Sequence, residues 1–304
     1  MKFKSIFDHP AQARRRARGV GAGDFRSGTV YRYTPEMELA ISAATATQRP
    51  LLVTGPAGCG KSSLARSTAA RLQWRYLERT VNSRTEIASL LWEVDQLGRL
   101  QDAQAQALDK DLLHYVRPSV LWQALDAGSA AAPRSLRQSA GRPPKVDPAV
   151  VLIDEIDKAD PDLPNNLLEV LGGLRFEVAD TGCRVTCSSG VPLIVITSND
   201  ERDLPPAFVR RCIVLNLQQP DLAKVAALHF PKDGKLVADA LRLLVGDANT
   251  TANTPASTAI TTPPSAAEFL DFIQACKTLK VRAGADAWLA LAEACVLKGR
   301  AGTA

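Results

Sequence analysis

The sequence has 304 residues, of which 46% are hydrophobic and 23% are charged, and its formal net charge is +5. This length and composition allow one or two domains with sizeable cores. No stretch reaches the roughly 18 uncharged apolar residues of a membrane span, and the N-terminus lacks the apolar segment of a secretory signal. The six cysteines include no C-x-x-C pair and the three histidines stand alone. We therefore predict a reduced, cytoplasmic protein with no membrane partner and no zinc site.

The positive charge is concentrated in a basic N-terminal arm, residues 1–30. Its cations are Lys2, Lys4, Arg14, Arg15, Arg16, Arg18 and Arg26, against Asp8 and Asp24, so seven minus two accounts for the whole excess of five. Such an arm could contact nucleic acid or an acidic partner. Because no stacking aromatic residues alternate with the charges, we favour a solvated tail.

Helical and strand patterns alternate between residues 34 and 217. In chain order they predict a helix over 34–47 capped by Thr34, a buried strand over 49–55, a helix over 61–72, a strand over 74–81, an amphipathic helix over 85–97, more helix through 98–126, a mobile loop over 127–148, a buried strand over 149–157, a helix over 163–174, a hairpin over 175–190, and strands over 191–199 and 212–217. Only helical patterns follow residue 219, around a loop at 248–264. This order predicts an α/β fold with a mainly parallel sheet flanked by helices, followed by a small all-α domain.

The segment GPAGCGKS, residues 55–62, fits the phosphate-binding loop G-x-x-x-x-G-K-[ST], here between a predicted strand and a predicted helix. Its glycines let the backbone wrap phosphate groups, and successive N–H groups form an anion site. We expect Lys61 to neutralise the β- and γ-phosphates of a nucleotide and the Ser62 hydroxyl to hold Mg²⁺, which leaves a kinase, a GTPase and an ATPase open. The predicted nucleotide-binding residues are Gly55, Pro56, Ala57, Gly58, Cys59, Gly60, Lys61, Ser62 and Ser63.

The segment VVLIDEID, residues 150–157, delivers two acidic residues to the end of a predicted buried strand. Open α/β sheets bind ligands at that end of their strands. We expect Asp154 to hold the Mg²⁺ and Glu155 to polarise an attacking water. This acidic pair is typical of hydrolytic ATPases rather than of GTPases or small-molecule kinases.

The motifs GPAGCGKS, VVLIDEIDKAD, VITSN and LPPAFVRRC, in this order, resemble those of AAA+ ATPases, most closely the MoxR-type branch of the group with a helix-2 insertion. The resemblance implies a P-loop NTPase domain over 31–218, a helical lid domain over 219–304, and an insertion between Lys61 and Asp154. It places Asn199 at the sensor position that orients the water and Arg211, or else Arg210, at the arginine finger. It also implies a ring, usually hexameric, a chaperone-like action on a partner protein, and a von Willebrand A-type domain protein as a possible partner.

The sequence departs from this family at the second sensor. Ala266 and Ala267 stand where an arginine is common, and Arg282 is the nearest candidate. Three alternatives stay open: a motor stimulated by nucleic acid through the arm and the hairpin, a slow nucleotide-gated switch or scaffold, and a metabolic kinase. The acidic pair, Asn199 and the paired arginines argue against the kinase.

Overall fold

The fold is taken from a computed structural model that describes residues 3, 5–8, 30–137, 148–245 and 264–296. Most of the predicted basic arm and of the loop at 248–264 lies outside these residues. Contacts divide the chain into two compact units. Among the described residues, the first contains 33–54 and 68–216 with the short segment 5–8, and the second contains 30–32, 55–67 and those from 217 onward. The domain boundaries implied by the family resemblance stay a prediction.

The elements of the first unit occur in the predicted order over most of the chain, as does helix α2, which belongs partly to each unit. They are α1 (Pro35–Thr47), β1 (Leu51–Thr54), α2 (Lys61–Leu72), β2 (Arg75–Thr80), α3 (Ile87–Leu91), β3 (Trp92–Val94), α4 (Gln96–Gln104), β4 (Val116–Pro118), α5 (Val120–Leu125), α6 (Ala127–Ala131), β5 (Ala149–Asp154), α7 (Leu163–Gly173), β6 (Arg175–Val178), β7 (Cys183–Thr186), β8 (Leu193–Thr197), α8 (Pro206–Val209) and β9 (Ile213–Asn216). The cap of α1 is as predicted, since the Thr34 side chain accepts a hydrogen bond from the backbone of Met37.

Five strands form one parallel sheet in the order β2-β5-β8-β1-β9. The three central strands are apolar and buried, as expected of strands covered on both faces. The edge strand β2 instead carries Arg75, Glu78 and Arg79, and such charges discourage pairing with another chain. The predicted α/β fold with a parallel sheet flanked by helices is confirmed.

The predicted helix over 85–97 is wrong at its centre. Residues 92–94 are the strand β3, which pairs antiparallel with β4. The Trp92 ring stacks on Phe176 at a centroid distance of 5.6 Å, and Asp95 caps the next helix through the backbone N–H of Gly98 at 2.8 Å. Since both interactions need an extended segment followed by a new helix, tertiary contacts override the helical periodicity.

The helix predicted through 98–126 is interrupted, and part of the predicted loop over 127–148 is helical. Helix α4 ends at Gln104, and α5 begins only at Val120. Residues 127–131 form α6 and residues 133–137 a 3-10 helix. Ion pairs from Arg134 to Asp109 and from Arg137 to Asp111 link this stretch to the turn after α4. The loop prediction fails there because these partners are distant in sequence; residues 138–147 lie outside the described part.

The hairpin predicted over 175–190 is present as β6 and β7, which pair from Arg175↔Thr186 to Val178↔Cys183. Phe176, Val178, Cys183 and Val185 are buried, whereas the residues between them point away from the core. This alternation is the signature of a two-stranded sheet with one covered face.

The second unit contains the predicted C-terminal helices α9 (Leu222–His229), α10 (Gly234–Leu244), α11 (Ala266–Leu279) and α12 (Asp286–Cys295). Their core includes Phe269, Phe272 and Trp288, and the rings of the last two meet edge to face at 4.9 Å. None of the helices in the described ranges is long and apolar enough to cross a membrane. The all-α character predicted for this part of the chain is confirmed.

Candidate functional site

The loop of residues 55–60 begins directly after β1 and ends where α2 begins. Lys61 is 6% exposed, and its ammonium donates hydrogen bonds to the backbone carbonyls of Gly55 (2.7 Å) and Pro56 (2.9 Å). Lys61 is therefore folded over the loop rather than extended into solvent. Ser62 is half-buried and Ser63 exposed in the first turn of α2. Pro56, Ala57 and Gly58 are exposed, whereas Cys59 is buried, and this burial raises the pKa of its thiol.

Two glycines are required by close contacts as well as by backbone geometry. Gly55 has φ +137°, and a Cβ there would lie 2.2 Å from the backbone oxygen of Leu217. Gly58 has φ +74°, and a Cβ there would lie 2.3 Å from the Cβ of Ser265, the cap of α11. Both conformations are ones that glycine adopts readily and other residues do not. The loop shape therefore depends on neighbours from the C-terminal part of the same unit.

Tyr31 also contacts the loop, and sequence reasoning missed it. Its hydroxyl donates to the carbonyl of Gly60 at 3.3 Å, and its ring lies 3.4 Å from the position of a Cβ on Gly60. Nothing in the local sequence distinguishes this tyrosine from an ordinary surface residue. Only the folded chain brings it to the loop.

At the end of β5, Asp154 is held by a residue of the neighbouring strand. The hydroxyl of Thr197, the last residue of β8, donates to Oδ1 of Asp154 and accepts from the backbone N–H of Glu155 at 3.0 Å. Thr197 is 1% exposed. A buried hydroxyl with both functions satisfied fixes the orientation of the carboxylate and of the following peptide. This residue, too, was missed from the sequence.

Glu155 occupies a left-handed backbone conformation, with φ +61° and ψ +48°. This conformation costs a non-glycine residue about 1–2 kcal/mol and recurs at functional sites. Its carboxylate forms an ion pair with Lys158, the two groups lying 3.0 Å apart. The hydrogen bond that the Lys158 ammonium donates to Glu155 is the main reason why the pKa of Lys158 is raised.

Asn199 lies in the loop that follows β8, two residues after Thr197, and is half-buried. Its backbone N–H donates to Oδ2 of Asp157 at 3.1 Å. The loop carrying the expected sensor residue is thus connected to the 3-10 helix that follows Glu155. The structure therefore brings the predicted residues Asp154, Glu155 and Asn199 to the carboxyl ends of two adjacent strands.

Arg210 and Arg211 lie elsewhere, in the turn between α8 and β9. Both are exposed, and within the described part of the chain no carboxylate forms an ion pair with either. The carbonyl of Arg210 accepts a hydrogen bond from the guanidinium of Arg49 at 2.6 Å. All three arginines precede a strand, so they lie at the amino ends of β1 and β9, the edge of the sheet opposite to Asp154.

The chemistry of the donor set fits Mg²⁺. This ion takes oxygen ligands and is usually held by one or two carboxylates together with substrate phosphates, rather than by an all-protein cage. Asp154 provides one oriented carboxylate at the end of β5. Ser62, the second ligand expected from the sequence, lies in the first turn of α2. Among the described residues no three His, Cys, Asp or Glu side chains converge on one point, so no separate metal cage is built there.

The parallel sheet, the glycine loop after β1 and the acidic pair after β5 define a P-loop NTPase fold with C-terminal helices. The family of AAA domains, dynein-related subfamily, matches residues 50–212, more than half of the sequence. The chain belongs to this family.

No curated protein matches the sequence. Among solved structures, NtrX from Brucella abortus in complex with ATP is similar, with a TM-score of 0.47, 15% identity and coverage of 86% of this chain and 55% of that chain. The same protein in complex with ADP gives a TM-score of 0.44 and 16% identity, and covers 82% and 51%. This chain spans about half the length of the solved chains that it matches. Likeness at these TM-scores carries no argument about function.

Proposed function

We propose that this protein is an Mg²⁺-dependent ATPase of the AAA+ MoxR type, which assembles into a ring and uses hydrolysis to remodel a partner protein. One observation carries the proposal. Three neighbouring parallel strands end, at the same edge of their sheet, in the groups that the reaction needs: β5 in the acidic pair, β8 in Thr197 and Asn199, and β1 in the glycine loop. Ligands of open α/β sheets bind at this edge.

The loop is assigned to the triphosphate of ATP. Its glycines have positive φ, as in the backbone nests that bind anions, and a Cβ at Gly55 or Gly58 would collide with the residues beside it. Lys61 is already held over the loop by two carbonyls. Phosphate oxygens would replace these carbonyls because they carry negative charge, so the Lys61 ammonium gains an ion pair as well as a hydrogen bond.

The acidic side chains are assigned to the hydrolytic step. Asp154, fixed by the Thr197 hydroxyl, would hold the metal ion with Ser62; a bound Mg²⁺ neutralises charge on the phosphates. Glu155 would accept a proton from the attacking water, and Asn199 would orient that water. Because Lys158 pairs with the Glu155 carboxylate, Glu155 must exchange this partner for the water before it acts.

The arginines are assigned to a neighbouring subunit. Arg210 and Arg211 lie at the amino end of β9, whereas the acidic pair follows the carboxyl end of β5 in the same sheet. In a ring, a guanidinium at that edge would reach the γ-phosphate on an adjacent copy, where it would stabilise charge in the transition state. This assignment makes ring assembly, expected to be hexameric, part of the catalytic mechanism.

The remodelling role follows from the MoxR resemblance rather than from the geometry of the site. The segments between β2 and β5, together with the β6–β7 hairpin, are the additions to the core sheet that could contact a protein substrate. A partner with a von Willebrand A-type domain is the one that this branch implies.

Two substitutions test the catalytic assignment. We expect Lys61→Ala to abolish tight ATP binding, and Glu155→Gln to leave the dissociation constant within about twofold while reducing hydrolysis by about 10²–10⁴-fold, the usual contribution of a general base. Binding is measured with a fluorescent ATP analogue and hydrolysis by phosphate release. Equal loss of binding in both variants would contradict the separate roles.

The mass of Glu155→Gln in solution, with and without ATP, tests assembly. A shift from a small species to a ring-sized one on adding ATP is the expected result, with Lys61→Ala as the control that does not shift. A protein that binds ATP and stays monomeric at all concentrations would refute the ring and favour a nucleotide-gated switch.

A further inference from the structure

Asp157 is a buried carboxylate with no assigned role in the reaction. Its side chain is 3% exposed, although aspartate is almost never fully buried unless it is paired. Oδ2 accepts two hydrogen bonds, from the backbone N–H of Asn199 at 3.1 Å and from that of Glu201 at 3.2 Å. Oδ1 is buried and has no hydrogen-bond partner among the described residues.

These two hydrogen bonds join the segments that follow neighbouring strands. Asp157 belongs to the 3-10 helix Ile156–Lys158, which begins directly after Glu155 and β5. Asn199 and Glu201 belong to the loop after β8, the strand that pairs with β5. The carboxylate thus connects the segment that carries Glu155 to the segment that carries Asn199.

A packing role alone does not account for this side chain. Burying a carboxylate costs several kcal/mol, and an apolar residue of similar volume usually packs at least as well. What an apolar residue lacks is an acceptor for the two loop amides, which would then lose this hydrogen-bond partner. The carboxylate therefore serves as a hydrogen-bond acceptor for the loop backbone rather than as packing for the apolar core.

We propose that Asp157 is a positioning residue that holds the Asn199 loop in a fixed place relative to Glu155. The inference rests on the proposed function, because it assigns the geometry of that same site. Asp157 acts through Asn199 and does not contact the nucleotide. Hydrogen bonds to a charged acceptor are stronger than neutral ones, which suits a loop whose backbone must stay in one position during turnover.

Two variants of Asp157 separate hydrogen bonding from volume. Asp157→Asn keeps a carbonyl oxygen that can accept both N–H groups, and its NH₂ group takes the place of the unpartnered Oδ1. Asp157→Leu has the same branching and the same number of non-hydrogen atoms, but no acceptor. We expect Asp157→Asn to keep kcat within about threefold, and Asp157→Leu to lose about 10–100-fold, the range found when residues that orient active-site groups are removed. KM for ATP should change by less than about twofold in both.

A double variant shows whether Asp157 acts through Asn199. Residues that share one interaction are not additive, so Asp157→Leu combined with Asn199→Ala should be about as slow as Asn199→Ala alone. Losses that multiply would overturn the proposal, as would equal damage from Asp157→Asn and Asp157→Leu. If leucine prevents folding, Asp157→Ala takes its place; failure of both to fold would assign Asp157 to stability instead.

Hydrogen exchange gives a readout that does not depend on activity. The amides of Asn199 and Glu201 should exchange slowly in the unmodified protein and in Asp157→Asn, and faster in Asp157→Leu. Unchanged protection in Asp157→Leu would overturn the positioning role even if the protein is an ATPase. A protein without ATPase activity that shows the expected exchange pattern would refute the proposed function and leave the loop contact in place.

Discussion

At the scale of single residues, Thr197 contacts both acidic residues of the proposed reaction. Its hydroxyl donates to the Asp154 carboxylate and accepts from the backbone of Glu155, whose left-handed conformation needs support from its surroundings. Partners that orient a metal ligand or a base usually matter almost as much as the ligand itself. Thr197 is therefore the residue of β8 whose substitution tests the site most directly.

We expect Thr197→Val to reduce ATP hydrolysis by about 10–100-fold and to weaken the dependence on Mg²⁺, because valine has the shape of threonine without its hydroxyl. Phosphate release measured over a range of Mg²⁺ concentrations gives both quantities. Thr197→Ser keeps the hydroxyl and is the matched control, which should lose less than about threefold by the same reasoning. Equal rates for the two variants would show that the hydroxyl contacts are not needed.

At the scale of elements, the glycine loop and the start of α11 are in direct contact. Ser265, which forms the capping box of α11 with Glu268, packs against Gly58. Ser265 also accepts from the backbone of Glu268 and donates to its carboxylate, so this cap is rigid. In the proposed function, a change in the loop on nucleotide binding would therefore act first on the start of α11. This contact lies next to Ala266 and Ala267, where the family resemblance places a second-sensor arginine.

We expect Gly58→Ala to lower both the melting temperature and the affinity for ATP, because a Cβ there collides with Ser265 as well as straining a backbone at φ +74°. Gly284→Ala is the matched control: φ is +84° in the same unit, and nothing lies within 4 Å of the added Cβ. The strain alone costs about 1–2 kcal/mol, so the control should lower the melting temperature and leave ATP binding unchanged. Similar affinities in both variants would contradict a role for the contact.

At the scale of the whole molecule, the positions of the charged groups argue for action between copies. The acidic pair follows the carboxyl end of its strand, whereas Arg49, Arg210 and Arg211 precede the amino ends of theirs. One copy of the chain therefore carries the acidic pair at one edge of the sheet and the arginines at the other. A head-to-tail arrangement of copies pairs these two edges and closes into a ring when the rotation permits.

We expect two inactive variants to restore activity when they are mixed. The double variant Arg210→Ala/Arg211→Ala keeps Glu155, and the variant Glu155→Gln keeps both arginines. Where the two meet in a ring, one interface combines an intact Glu155 with intact arginines. Random mixing in a ring should return roughly a quarter of the unmodified activity, since half of the bases meet half of the arginines.

The single arginine variants in the same assay show which of the two is the finger. Arg242→Ala is the control, because Arg242 is exposed and pairs with Asp239 of its own helix. A mixture that stays inactive while both variants still assemble would exclude arginines acting between subunits.

Local patterns in the sequence determined the order of the main elements and the candidate chemistry. The glycine loop, the acidic pair, the buried strands β1, β5 and β8 and the C-terminal helices were predicted from segments of a few residues each. Such features depend on backbone freedom, periodic burial and the charge of adjacent side chains. These properties can be inferred from neighbouring residues in the sequence.

The tertiary structure decided what depends on partners far apart in sequence. Residues 92–94 became a strand because Trp92 packs on Phe176 and pairs with β4, and residues 127–137 became helical where Arg134 and Arg137 pair with Asp109 and Asp111. Thr197, Asp157 and Tyr31 gained their contacts in the same way. The residues next to a threonine, an aspartate or a tyrosine do not indicate which backbone group its side chain will contact. That contact depends on which strands become neighbours in the sheet.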